Sequence, residues 1–392
     1  MEVGPVAYSS PVIAEDGTIY VGNTDGELVA VNPDGTIRWK RFFPGAIISS
    51  PAVGDDGNIY VISTQKIDEK RFDSTLRSLE PDGDLRWSFV FPGNQFVTSS
   101  PKTLGSAQDL YVFVYLPGEL FILDDAGEVV HQESMVNYGQ HTICGSGVNF
   151  GDIIDSLLDF FSKAFDCWSF SLPPCKFAPR GVGPAPLYES FGWLDPTVAV
   201  VAPRDTGQPI VVVIGPFAIV AFRWSPPALS HLWSEEYGVD CSDDDYKDLS
   251  SPAVFANGLL VVGRRDRHVL AYDVQTGARM WDYDAKEAVT ATPASFGRQV
   301  YVVVNSRLDV LDSDGDLLHQ YTMAGQSVAS PALSADLAYV NATDGLYTFT
   351  FDLESFFRNG QVKGGLSSPA IAKDGTVYVV DRNKKLWAFP GR

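Results

Sequence analysis

Cysteine is scarce in this chain. Four occur in 392 residues, Cys144, Cys167, Cys175 and Cys241, and none stands in a Cys-x-x-Cys pair. That spacing excludes the paired-thiolate zinc ribbon and the thioredoxin-type redox motif. Confined to residues 144–241, the four read as one or two staples before they read as a zinc site, with unpaired thiols as a further alternative. Of the possible connectivities, Cys167–Cys175 with Cys144–Cys241 is the expected one. Positive charge is also short, with 29 Lys and Arg against 49 Asp and Glu and a net charge of −20. Nucleic acid and anionic bilayers are bound by cations that displace counterions, so neither is an expected partner. No apolar run reaches the roughly 18 residues of a membrane-crossing helix. No His-Glu-x-x-His, Gly-x-Ser-x-Gly or P-loop occurs, and His141, His231 and His268 have no metal-binding spacing. Met1–Pro5 runs straight into Ser9-Ser10-Pro11 with no leader pattern, so the expectation is either a cytosolic protein or one whose natural N-terminus has been trimmed.

What the chain has in abundance is a repeat. Residues 9–39 hold four short β-forming runs separated by Asp16-Gly17, Asp25-Gly26 and Asp34-Gly35. Asp-Gly between apolar alternations is the strongest short hairpin signal, because glycine takes the positive φ that a tight turn requires. The stretch therefore predicts a four-stranded antiparallel meander, and most of the chain repeats it. The first strand of each unit is marked by Ser-Ser-Pro or a relative. The anchors are Pro11, Pro51, Pro101, Pro196, Pro252, Pro293, Pro331 and Pro369. Around Pro196 the copy is degenerate, with strands expected at 209–214, 218–222 and 229–233. Trp39, Trp87, His131, Trp233, Trp281, His319 and Phe357 fall at one equivalent place in the fourth strands. Units that cannot bury both faces alone solve the problem by radial stacking. The expected fold is an all-β, eight-bladed propeller of four-stranded antiparallel blades, one domain over 1–392, with a helical, cysteine-containing insertion over 132–194 between blades 3 and 4. The eighth unit lacks a fourth strand, and residues 1–8 are its natural donor. They align only with the end of such a strand, so upstream residues, including a signal segment, are expected to have been removed.

The run Ala271-Tyr272-Asp273-Val274-Gln275-Thr276-Gly277, ending at Trp281, resembles the tryptophan-docking motif of quinoprotein-type propellers, the pyrroloquinoline-quinone-like repeat. The Ser-Ser-Pro strands and the Asp-Gly hairpins resemble the same superfamily. Its members include dehydrogenases and non-enzymatic propellers, among them that of the bacterial outer-membrane protein assembly machinery. The resemblance implies the fold and an extracytoplasmic setting. The quinone dehydrogenases of the superfamily carry vicinal cysteines and a Glu, Asn and Asp calcium site. This chain has no Cys-Cys pair and no matching cluster, so the quinone is not expected.

The short turns of a meander blade lie on one face of the disc, and the 2–3 turns and blade-to-blade links lie on the other. The long segments 65–74, 132–194 and 234–249 belong to the second face, where function is expected. Within the insertion, residues 152–168 place Leu157, Phe161, Phe165 and Trp168 along one side of an amphipathic helix. It reads as a lid on the disc or as a docking surface for a protein partner. The acidic run with Asp243, Asp244 and Asp245 is a possible calcium site, against the plainer reading of a solvated charge cluster. Basic residues gather in 2–3 loops: Lys66 and Arg71; Arg264, Arg265 and Arg267; Arg382 and Lys384. On so acidic a chain they are candidates to receive an acidic peptide, a carboxylate or an anionic glycan. The function that follows is a binding or scaffold module, a monomeric propeller without a resident cofactor. A propeller enzyme (quinoprotein oxidoreductase, or carbohydrate hydrolase or lyase) and a structural piece of a larger surface protein are the alternatives.

Overall fold

The structure is a computed structural model that describes residues 1–6, 9–68, 71–93, 97, 99–116, 118–138, 198–201, 208–214, 218–236, 253–254, 258–364 and 367–391. Asx turns build the short hairpins. In each, an aspartate side chain accepts the amide two residues on, as Asp16 Oδ1 does from Thr18 N (2.9 Å), Asp56 Oδ1 from Asn58 N (3.0 Å) and Asp374 Oδ1 from Thr376 N (2.9 Å). The hairpins join strands in sequence order into eight antiparallel sheets. Blades 1 to 8 span 12–42, 52–90, 102–134, 199–236, 253–284, 294–322, 332–359 and 370–389. Their first strands touch their neighbours all the way round, blade 8 meeting blade 1, so the disc is a closed eight-bladed propeller.

Burial follows from the stacking. The second and third strands are covered on both sides by adjacent blades, and Ile19–Gly22 and Glu27–Val31 are buried almost throughout. Outer strands such as Ile37–Phe42 alternate between partly buried and exposed positions. Apolar clusters form between blades rather than within them. One joins Tyr20, Leu28 and Ala30 of blade 1 to Ile59, Val61 and Leu79 of blade 2. Another sets Trp224 of blade 4 edge-on to Tyr111 and Phe113 of blade 3.

The degenerate copy is blade 4. Its later strands, Ile210–Ile214, Ala218–Ser225 and Ala228–Glu236, lie where the sequence placed them, and the first is Ala199–Val201. Two boundaries move. The strand Val129–Ser134 and the 3₁₀ turn Met135–Tyr138 continue ordered structure past residue 132, so the insertion starts later than the sequence suggested. The segment 65–74 is not a long loop. Strands Ile59–Lys66 and Phe72–Leu79 stay paired to Lys66 opposite Phe72, because the ladder satisfies backbone groups that a loop would leave to water. Past Lys66 and Phe72 the two strands are still tied, Ile67 N donating to Arg71 O at 2.8 Å.

Ring closure uses the N-terminus. Glu2 bridges Lys385, Val3 N donates to Lys384 O (2.7 Å), and Met1 exchanges both backbone bonds with Leu386 (2.8 and 3.0 Å). These residues form the end of blade 8's fourth strand, as their alignment required.

The Ser-Ser-Pro signature links neighbouring blades at the axis, at five junctions among the described residues. The amide of its second residue donates to the hydroxyl of the same residue in the next blade: Thr292 to Ser330, Ser330 to Ser368, Ser368 to Ser10, Ser10 to Ser50 and Ser50 to Ser100, at 2.9–3.1 Å. A first strand has no other partner on its axial edge, so a hydroxyl there satisfies a donor that would otherwise face the channel unpaired.

Candidate interaction face

Links and 2–3 turns share one face because they are hydrogen-bonded to each other. Phe43 N donates to Gly26 O and Ile47 N to Asn23 O, Ala46 pairs with Thr64, Ala285 N donates to Arg267 O, and Met323 N donates to Ser306 O, all at 2.7–2.9 Å. The chain leaves the fourth strands of blades 3 and 4 onto this same face. The long segments that follow, including Leu157, Phe161, Phe165 and Trp168, all four cysteines and Asp243–Asp245, lie outside the described residues.

The basic candidates occupy the 2–3 hairpins of blades 2, 5 and 8, with other blades between them. The structure groups them within a blade and spreads the groups around the disc. Lys66 ends a strand and Arg71 is exposed at the hairpin tip. Arg267 (φ 76°) and Lys384 (φ 65°) are exposed at the left-handed position that Gly26 fills in blade 1, a conformation costly for a side-chain-bearing residue. Arg264 differs from the others. Its side chain is only 12% exposed and is committed to Asp266, so it faces the fold more than a ligand. Arg265 is partly buried and Arg382 is exposed. Among the described residues, no group of three or more His, Cys, Asp or Glu side chains gathers to hold a metal.

A network that the sequence gave no sign of lies beside this face in blade 6. Asp309 is wholly buried, and Arg307 grips it with Nε to Oδ1 at 2.7 Å and Nη2 to Oδ2 at 2.8 Å. Tyr283 of blade 5 donates to Oδ2 (3.0 Å) and Gln320 to Oδ1 (3.1 Å). Hydrogen bonding to Asp309 raises the Arg307 pKa over the opposing effect of burial. Burial, the Asp309 charge and the hydrogen bond to it push the Tyr283 phenol up. Every polar atom of this carboxylate is used, so it is a strut between blades. Arg77 is a second cation the sequence did not single out. It lies 4.8 Å over the Phe43 ring and donates to Ser63 Oγ (2.7 Å), with burial lowering its pKa.

The outer-strand aromatics behave in two ways. The indoles of Trp39, Trp87, Trp233 and Trp281 donate to Pro81, Asp125, Val274 and Ser313 carbonyls in the next blade's 3–4 turn, at 2.7–3.0 Å. His131, His319 and Phe357 occupy the same register, opposite Ile122, Val310 and Thr348. There, however, His131 pairs with Glu133 (3.2 Å) and Phe357 is 57% exposed. For His131 and His319 the next blades explain the difference, since their 3–4 turns are built on Pro226-Pro227 and on Leu353 and offer no flat glycine seat, while Phe357 faces blade 8, a three-stranded sheet with no 3–4 turn among the described residues.

With the turns and their indoles placed, comparison with known proteins becomes specific. The family profile described as outer membrane protein assembly factor BamB matches residues 3–144 and 230–350. The chain belongs to this family. Among solved structures it is similar to BamB from Moraxella catarrhalis, at 14% identity and TM-score 0.54, covering 89% of this chain and 82% of that one. A europium-containing methanol dehydrogenase is similar at 12% identity and TM-score 0.64, covering 97% and 83%. The C-terminal WD40 domain of Sif2 is similar at 13% identity and TM-score 0.61, covering 100% and 98%. At such identities the likeness shows the propeller fold. No curated protein matches the chain. The match covers blades 1–3 and 5–6, takes in only residues 230–236 of blade 4 and ends at 350 within blade 7.

Proposed function

We propose that this BamB-family propeller is a non-enzymatic binding scaffold that works outside the cytoplasm through its link face. One observation carries the reading. The 2–3 hairpins and blade-to-blade links are tied into a single surface, and the chain's longest departures from the repeat leave from that surface. Rigid blades hold that surface in place, as function-bearing loops require. Exposed Arg71, Arg267 and Lys384 give a chain of net charge −20 local positive points there, suited to acidic segments of a protein partner.

The test is binding of a fluorescent poly-glutamate peptide at low salt. Arg71→Glu, Arg267→Glu and Lys384→Glu together are expected to weaken it about tenfold. Arg38→Glu with Lys373→Glu, on the short-turn face, is expected to leave it unchanged. Equal loss from both faces, or no binding by the unaltered chain, would remove the proposal.

A further inference from the structure

One place in the repeat carries a charge between blades in both blade 2 and blade 6, and only blade 6 balances it. There it is Asp309, opposite Val302 and Gln320, with Arg307 two residues before it. In blade 2 it is Arg77, opposite Val61 and Ser88, with Thr75 two residues before it. Asp309 takes donors from Arg307, Gln320 and Tyr283. Arg77 has no such complement. Its Nη1 donates to Ser63 Oγ at 2.7 Å and to Thr75 O at 3.5 Å, and no carboxylate among the described residues pairs with it.

A guanidinium drawn partly out of water without a counter-charge costs stability, and burial acts against the Arg77 charge. Its surroundings fit an anion of one kind. Among the described residues only Nη1 is engaged, so Nε and Nη2 remain as the two-pronged fork that matches a carboxylate. The Phe43 ring supports the guanidinium from 4.8 Å, and Ser63 Oγ is itself anchored to Pro44 O at 2.8 Å. Antiparallel partners share a face, which sets the Thr75 and Ser88 hydroxyls on the side of Arg77. Those are the two places from which Arg307 and Gln320 donate to Asp309 in blade 6. Neither hydroxyl has a partner among the described residues. Ser88 is exposed, and so is Val90, opposite Thr75, so the place opens to the rim between blades 1 and 2.

We propose that the outer end of the gap between blades 1 and 2 is a carboxylate-binding site. Nε and Nη2 of Arg77 take the two carboxylate oxygens, the Thr75 and Ser88 hydroxyls donate to them, and Val90 covers the apolar body that carries the acid. The ligand supplies to blade 2 what Asp309 supplies to blade 6. Its carboxylate comes from an acidic side chain of a polypeptide or from a small free acid, and the chemistry recognised is the same. Arg71, Arg267 and Lys384 take no part, so failure of this site would leave the link-face reading untouched.

The experiment is saturation-transfer NMR on the whole chain at low salt, with isobutyrate as the probe and isobutyramide as its neutral isostere. Isobutyrate is expected to bind with a Kd of about 1–10 mM, and the amide about tenfold more weakly. Arg77→Met keeps an unbranched side chain beneath Phe43 and is expected to abolish binding. Ser88→Glu gives the chain a carboxylate of its own opposite Arg77, and it is expected to abolish binding while raising the melting temperature. Ser88→Gln has the same length without the charge and is expected to retain binding within about twofold. An alanine pentapeptide with a central glutamate, capped at both ends, separates the two sources. Displacement of isobutyrate at a tenth of its concentration assigns the carboxylate to a polypeptide, and weaker displacement assigns it to a free acid. Equal binding of acid and amide, binding that survives Arg77→Met, equal loss in Ser88→Glu and Ser88→Gln, or no binding of isobutyrate would overturn the proposal. The comparison of acid with amide needs no altered protein, so a variant that failed to fold would leave the test intact.

Discussion

Trp281 and Gly315 are in face-to-face contact across a blade boundary, so close that a Cβ on Gly315 would lie 2.7 Å from the indole. The same indole donates to Ser313 O at 3.0 Å. One side chain thus uses its flat face and its polar edge on a single neighbouring turn. That economy locks blade 5 to blade 6 and recurs at three other boundaries.

Glycine seats separate backbone strain from docking. Gly35→Ala meets only the left-handed penalty and is expected to cost about 1–2 kcal/mol. Gly83→Ala adds a clash with Trp39 and is expected to cost about 1–3 kcal/mol more, the range for overpacking. Urea unfolding of the two variants measures the difference. Equal midpoints would show that the indole gives way freely.

The indole edge can be tested apart from its face. Trp281→Phe keeps a ring but loses the bond to Ser313 O, for an expected loss of about 0.5–1.5 kcal/mol. Trp281→Ala also removes the ring, and about 2–4 kcal/mol is expected, below the range for a fully buried site because the ring is half-buried. Thermal unfolding of the pair provides the comparison.

Most of this fold was legible in the chain. Asp-Gly pairs gave the hairpins, the repeated prolines gave the blade count, and tryptophans such as Trp39 and Trp281 marked the outer strands. Those signals are local and recur in each blade. The tip of the 65–74 hairpin was misplaced because polar residues such as Thr64, Gln65 and Asp73 look like loop when their ladder partners are unknown. The Asp309–Arg307 pair was invisible for a different reason. It joins residues two apart in sequence to Tyr283 of another blade, and nothing in the linear pattern distinguishes Asp309 from a surface carboxylate. The basic candidates were visible as charges, but only the fold shows that Arg264 turns to Asp266 while Arg267 points outward.

Asp309 should be intolerant of change. Asp309→Asn leaves Arg307 with only Glu287, 3.8 Å away, as counter-charge, and about 3 kcal/mol is expected to be lost, the low end of the range for a broken buried pair. Its phenol partner allows a control, since Tyr283→Phe removes one bond and no charge and is expected to cost only about 1 kcal/mol. Chemical denaturation of both variants decides the order.

Alkaline pH should loosen the start of the insertion. Burial, together with the hydrogen bond to Glu133 and its negative charge, pushes the Tyr138 phenol from 10.0 up to about 12. The neutral phenol is the form the fold favours. Its stabilising contribution is therefore complete below the ordinary tyrosine pKa and is lost as pH rises from about 10 towards about 12. Tyr138→Phe is expected to flatten that part of the stability profile. An unchanged slope would place the phenol in solvent.

The hydroxyl chain at the axis has its own test. Ser10→Ala removes the acceptor for Ser368 N, and loss of this part-buried bond is expected to cost about 1 kcal/mol. Ser10→Thr restores a hydroxyl and is expected to recover most of it. A melting curve for each variant is sufficient.

The bond from Ser368 to Ser10 links residues 358 apart in sequence at 3.0 Å, while the equivalent bond from Ser10 to Ser50 links residues 40 apart at 2.9 Å. Seen from the central channel, the junction of last blade and first is like any other. A load applied along the axis would meet five such bonds in succession, from Thr292 round to Ser100, with the junction of last blade and first carrying its share.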